Sequence, residues 1–168
     1  DDISYLQSTV NLLSAVVDRD RIEQSLQESQ ERFDLAIRGS NDGYWDWPHL
    51  DKDEEWWSPR MYELLGFKVD EIRSSNKAFG AMIHPDDCER TASAYGDHFN
   101  QRHPFSVEYR LKTKSGDYRW FLGRGQAVWD TKGNPMRMSG SVHDIHDERL
   151  AGDWPRMQTA ALDAAANG

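Results

Sequence analysis

From Pro104 onward the chain reads as three strands joined by two tight turns, and this run constrains the fold more than any other feature. Phe105, Val107, Tyr109 and Leu111 alternate with polar residues, the period of a half-buried strand. Ser115-Gly116-Asp117 signals a turn, Tyr118 to Trp129 a second strand, and Lys132-Gly133-Asn134-Pro135 another turn. Met136 to Ile145 closes the meander. Upstream, Gly43-Tyr44-Trp45-Asp46-Trp47 and Trp56-Trp57 are aromatic, strand-like segments separated by the polar run Asp51 to Glu55. Between these and Pro104, short helices are expected at 60–65, stopped by Gly66, at 69–74 and at 77–83. A longer helix follows at 88–102, with Asp86 and Asp87 suited to cap it. Two strands, several helices and three antiparallel strands make an α+β domain. Its sheet has five mostly antiparallel strands with short helices on one face, which leaves a pocket between the two layers.

No Pro or Gly occurs between Asp1 and Arg38, so residues 3–38 read as one long amino-terminal helix ending at Gly39. Ile3, Leu6, Val10, Leu13 and Val17 alternate at spacings of three and four, the seam of a coiled coil or bundle. Asp18 to Arg21 interrupts the pattern before Ile22, Leu26, Phe33 and Ile37 resume it, which suggests a joint between two helical units. A lone helix would leave this stripe exposed, so a homodimer with parallel amino-terminal helices is expected. At the other end, 147–151 and 156–166 read as helical with Pro155 between them.

With 168 residues the chain suits one domain with appendages. Its 29 acidic residues against 20 basic ones give a net charge of −9, which argues against nucleic acid or an anionic membrane as partner. No apolar run approaches ~20 residues and no signal peptide opens the sequence, so a cytoplasmic setting is expected. The single cysteine, Cys88, excludes an internal disulfide.

These residues carry a family resemblance. Glu31-Arg32-Phe33, residues 41–47, residues 57–67 and Ile83-His84-Pro85-Asp86-Asp87 resemble the successive parts of a PAS sensor domain. Residues 105–111, 114–120 and 140–145 resemble its PAC portion. Residues 1–27 are similar to the last helix of an upstream GAF domain, 28–150 to the PAS domain, and 151–168 to a linker entering a further PAS domain. The resemblance implies a PAS fold and a non-enzymatic sensory and relay role in a longer bacterial protein. Such proteins commonly end in a histidine kinase or a cyclic-di-GMP enzyme module, neither of which has motifs here. Two alternatives remain: a ligand-free dimerisation scaffold, and a haem-binding gas or redox sensor.

Candidate chemistry is sparse, and no catalytic residue is assigned. His143 and His146 stand three apart at a strand end, and His98 and His103 at a helix exit; neither pair makes a zinc site, and all four read as exposed polar residues. Some PAS domains hold haem through a helical His, but His84 reads as a cap at its helix junction. Cys88 lacks the Asn-Cys-Arg-Phe-Leu-Gln context of the flavin-binding LOV branch, so no cofactor is assigned. The carboxylates Asp51, Asp53, Glu54, Glu55, Asp86 and Asp87 read as solvated or capping groups. Gly123-Arg124-Gly125 lies mid-strand and marks a twist or close packing. Strand alternation puts Tyr44 and Asp46 on one sheet face and Trp45 and Trp47 on the other; the first pair is assigned to the pocket. Phe79, Ile83, Phe99, Tyr109, Phe121, Met138 and Val142 complete the expected wall of a small-molecule site. Asp144 and Ile145 match a strand-to-helix element of the family, in which His146 stands where a hydroxyl residue is usual. Asp144 is expected to pair there with a basic residue or a backbone donor and to relay the signal.

Overall fold

The computed structural model describes residues 2–152. The expected helix at 156–166 and most of the 151–168 linker lie outside the described residues. The chain divides into two units, 1–40 and 41 onward.

The first unit is one helix, α1 (Asp2–Ser40). It runs through Asp18–Arg21 without a break, so no interruption of the helix marks the expected joint. These charged residues interrupt the apolar seam but carry no helix-breaking geometry, and Arg19 pairs with Glu23 one turn on. Every seam residue, from Ile3 to Val17, is exposed in the single chain.

The second unit contains β1 (Gly43–Trp47), β2 (Trp56–Trp57), α2 (Pro59–Leu64), α3 (Asn76–Met82) and α4 (Pro85–Gln101). It continues with β3 (Phe105–Lys112), β4 (Tyr118–Trp129), β5 (Pro135–Asp144) and α5 (His146–Leu150). The sheet order is β2-β1-β5-β4-β3, and every neighbouring pair is antiparallel. The expected α+β class and five-stranded sheet are both present.

Local chemistry sets the helix ends. Ser58 Oγ accepts from Met61 N at the start of α2, where Pro59 has no N–H to lose. Ser75 Oγ accepts from Ala78 N and starts α3. His84, rather than Asp86 or Asp87, caps α4: its Nδ1 accepts from Asp86 N at 3.2 Å. That helix begins at Pro85, three residues earlier than expected, which moves both acids into its first turn. The expected helix at 69–74 does not form. Asp70 has φ +60°, and the Glu71 carboxylate binds Lys68 N at 2.8 Å, so a local turn wins over helical bonding.

The inner face of the sheet packs under α2, α3 and α4 and holds the main core, including Trp45, Tyr109, Phe121, Met138 and Val142. Two strand glycines make the large rings fit. A Cβ on Gly140 would lie 2.5 Å from the Trp45 ring, and one on Gly123 would lie 2.3 Å from the Tyr109 hydroxyl. Close packing, not a turn, therefore accounts for these glycines. On the opposite face Leu122 and Ile145 form a second buried cluster with Trp120.

The outer edge of β3 is covered from α4. Arg90 donates to the Glu108 carbonyl, Arg110 N donates to Asp87 Oδ2, and His84 N donates to the Arg110 carbonyl.

Candidate functional site

Between the sheet and the helices lies an interior cavity lined by Trp45, Glu55, Trp57, Met61, Phe79 and Tyr95. It is small, with about 10 Å³ open to the centre of a water molecule, room for one water-sized group. Trp45 enters from β1 and Trp57 from β2, where Trp45 and Trp57 are direct cross-strand partners. Phe79 comes from α3, and Tyr95 from the middle of α4, where it lies 4.5 Å from the Phe105 ring.

Glu55 precedes β2 and is the cavity's one carboxylate. Its Oε2 accepts from Trp57 Nε1 at 2.8 Å, and its backbone is pinned by Ser74, whose Oγ donates to the Glu55 carbonyl at 2.6 Å. Burial pushes the Glu55 carboxyl up to about 7, helped by the negative charge of Asp53 and opposed by the Trp57 bond. Burial likewise raises the phenols of Tyr95 and Tyr109.

The expected wall residues divide into three groups. Phe79 lines the cavity, and Tyr109 packs edge-on against it at 5.6 Å. Phe121, Met138 and Val142 are fully buried in the core without lining the cavity; Ile83 and Phe99 pack half-buried at its margin. Tyr44 and Asp46 belong to the other face. Asp46 accepts from Arg137 Nε at 2.8 Å and from Ser139, and against the burial that raises it these bonds hold its carboxyl below the usual value. Strand alternation separated the two pairs correctly, but Trp45 is the residue that points inward. Gly140 and Gly125 leave a trough for its ring, a signal visible only once the register is known. Glu55, Trp57, Met61 and Tyr95 were also missed.

His103, Asp51, Asp53, Glu54 and Asp86 are exposed as expected, but other histidines and acids depart from a surface role. His98 is buried: its Nε2 accepts from Ala127 N at 3.0 Å and its Nδ1 donates to the His103 carbonyl. His143 pairs with Asp42 at 2.6 Å, and this bond raises its imidazole pKa. Asp87 is buried at 1% exposure, and Arg110 and Arg90 donate to it. The Arg110 bonds hold its carboxyl down to about 2 against burial.

At the far end of β5, Asp144 ties strand to helix. Arg119 Nε donates to its Oδ2 at 3.1 Å and His146 N to its Oδ1 at 3.0 Å, so both a basic partner and a backbone donor are present. His146 Nδ1 accepts from Trp120 N at 3.3 Å in place of a hydroxyl contact. Trp120 is flanked by two guanidinium groups, with Arg110 at 5.0 Å and Arg149 of α5 at 3.8 Å from the ring centre. Arg149 also pairs with Glu108, which fastens α5 to β3.

The PAS fold family matches residues 54–142, more than half of the chain. The chain belongs to the PAS family. The crystal structure of a sensory box histidine kinase/response regulator from Burkholderia thailandensis is 35% identical, with a TM-score of 0.66 over 79% of this chain and 98% of that one. Sensor protein FixL of Bradyrhizobium diazoefficiens is 31% identical over 71% of this chain and 23% of its own length. The probable diguanylate cyclase DgcE of Escherichia coli is 28% identical over 74% of this chain and 11% of its length. This PAS sensor domain is thus homologous to those of histidine kinases and diguanylate cyclases. It spans 57% or less of the first curated relatives it matches. No helix among the described residues is long and apolar enough to cross a membrane.

Proposed function

We propose that this PAS domain is the sensory and relay module of a larger cytoplasmic signalling protein, with a histidine kinase or cyclic-di-GMP enzyme as its output. It takes a small, non-covalently held ligand in the cavity and passes the signal out through α5. The observation that carries this reading is the span of β5. At Gly140 that strand lies under the Trp45 ring of the cavity wall, and four residues later Asp144 anchors the output helix. A change in the seating of Trp45 therefore acts on the strand that holds α5. In this reading the exposed seam of α1 pairs with that of a second copy, and neighbouring GAF and PAS domains flank the segment.

Native mass spectrometry and an absorption spectrum of the purified protein test the ligand. A bound small molecule without a visible band is the expected result. A haem or flavin band overturns the reading. A second reading, a ligand-free dimer scaffold, is favoured by the small size of the cavity and by the exposed α1 seam.

A further inference from the structure

Four aromatic side chains, Trp45, Trp57, Phe79 and Tyr95, and one carboxylate, Glu55, surround the same small space. We propose that the cavity is a receptor site for a small organic ammonium cation, a protonated or methylated amine held among the four aromatic side chains and by the Glu55 carboxylate. The proposal rests on the cavity being the ligand site and narrows the class of ligand.

The first argument is charge. Glu55 receives a neutral donor, Trp57 Nε1, and among the described residues no Lys, Arg or His forms an ion pair with it. A half-buried anion without a countercharge is costly, and an entering cation relieves that cost. The second argument is the wall. Aromatic faces carry negative quadrupoles that attract cations, and indoles do so best. A neutral apolar ligand gains area from such a wall but leaves the carboxylate unmatched. The third argument is size. Space for one water-sized group takes the ammonium nitrogen alone, and the flexible Met61 side chain is the part of the wall best able to yield to its methyl.

The titratable groups facing Glu55 are Asp53 of its own loop, Tyr95 of α4 and Tyr109 of β3. Asp53 receives the Lys77 backbone N–H, and burial keeps both phenols protonated through neutral pH. Ionisation of Glu55 is then the event that tunes cation binding near pH 7.

The test titrates the full 168-residue chain with methylammonium chloride, with sodium chloride as control and methanol as the neutral isostere, while the indole N–H signals of Trp45 and Trp57 are followed by NMR. Methylammonium is expected to shift both signals saturably, with an affinity rising about tenfold from pH 6 to pH 8. Glu55→Gln is expected to weaken binding at least tenfold and to remove the pH dependence. If that variant does not fold, the pH dependence of the unmodified chain decides. Affinity that is flat with pH, or equal for methanol and methylammonium, overturns the cation inference and leaves the ligand-site reading standing. Failure of both probes, together with a protein that purifies without any bound molecule, overturns both.

Discussion

Asp87 and Arg110 meet through three hydrogen bonds: Arg110 Nε and backbone N both donate to Asp87 Oδ2, at 2.8 and 2.9 Å, and Nη2 donates to Oδ1 at 2.9 Å. The carboxylate belongs to α4 and the guanidinium to β3, so this pair holds helix to sheet. Its carboxyl pKa is depressed, to about 2 in the folded protein. The stability it contributes is therefore fully present above the unfolded pKa near 4 and is lost as pH falls toward 2, an effect of about 2 kcal/mol. Asp87→Asn should cost about 3 kcal/mol, lower Tm by roughly 10 °C, and flatten the acid limb of the stability curve between pH 4 and 2. Urea denaturation across that range checks it; an acid limb identical to wild type refutes the assignment.

Two glycine-to-alanine changes should move stability in opposite directions. At Gly140 the new Cβ would sit 2.0 Å from the Arg124 carbonyl oxygen and 2.5 Å from the Trp45 ring, so Gly140→Ala should cost about 2–3 kcal/mol. At Gly80, inside α3, nothing lies within 4 Å, so Gly80→Ala should stabilise by about 0.5–1 kcal/mol. Thermal unfolding of both variants measures the contrast.

Removing the Asp144 side chain should loosen α5 without unfolding the sheet. Asp144→Ala deletes the acceptor of both Arg119 and His146 N, so hydrogen exchange at residues 146–150 should quicken at least tenfold while β3 and β4 stay protected. In the larger signalling protein proposed above, the same change should uncouple stimulus from output. Normal signalling, or a domain that simply unfolds, removes Asp144 from the relay.

The α1 seam predicts a dimer. Ile3, Leu6, Val10, Leu13 and Val17 are 49–81% exposed in the single chain, a stripe that pairing would bury. Light scattering should give twice the chain mass, and removal of residues 1–27 should weaken association at least tenfold. An unchanged dimer after the deletion places the contact elsewhere.

Much of this fold was legible because period-two alternation survives in β3, where Phe105, Val107, Tyr109 and Leu111 are all buried as their spacing implies. Turn chemistry did the same for Gly116 and Gly133, both at positive φ. The site was less legible, for three physical reasons. Alternation sorts β1 into two faces without saying which is covered, so Tyr44 and Asp46 took the place of Trp45. A carboxylate in an acidic run looks solvated, so Glu55 and Asp87 gave no sign of burial; Glu55 accepts from the Trp57 indole two residues on, and the partners of Asp87 are Arg90 of α4 and Arg110 of β3. His98 passed as a surface residue because its two partners, Ala127 N and the His103 carbonyl, are backbone groups that no side-chain pattern displays.

The covered groups on the outer edge of β3 bear on how the domain resists aggregation. Copies of one β-rich domain at high concentration present similar strands to one another, the condition under which sheets recruit each other and misassemble. Arg90, Asp87 and His84 occupy backbone groups of Glu108 and Arg110 that an invading strand would need, and the opposite edge, β2, is only two residues long. Growth of the sheet is hindered on one side and starved on the other, so separate copies of the domain can crowd together without fusing edge to edge.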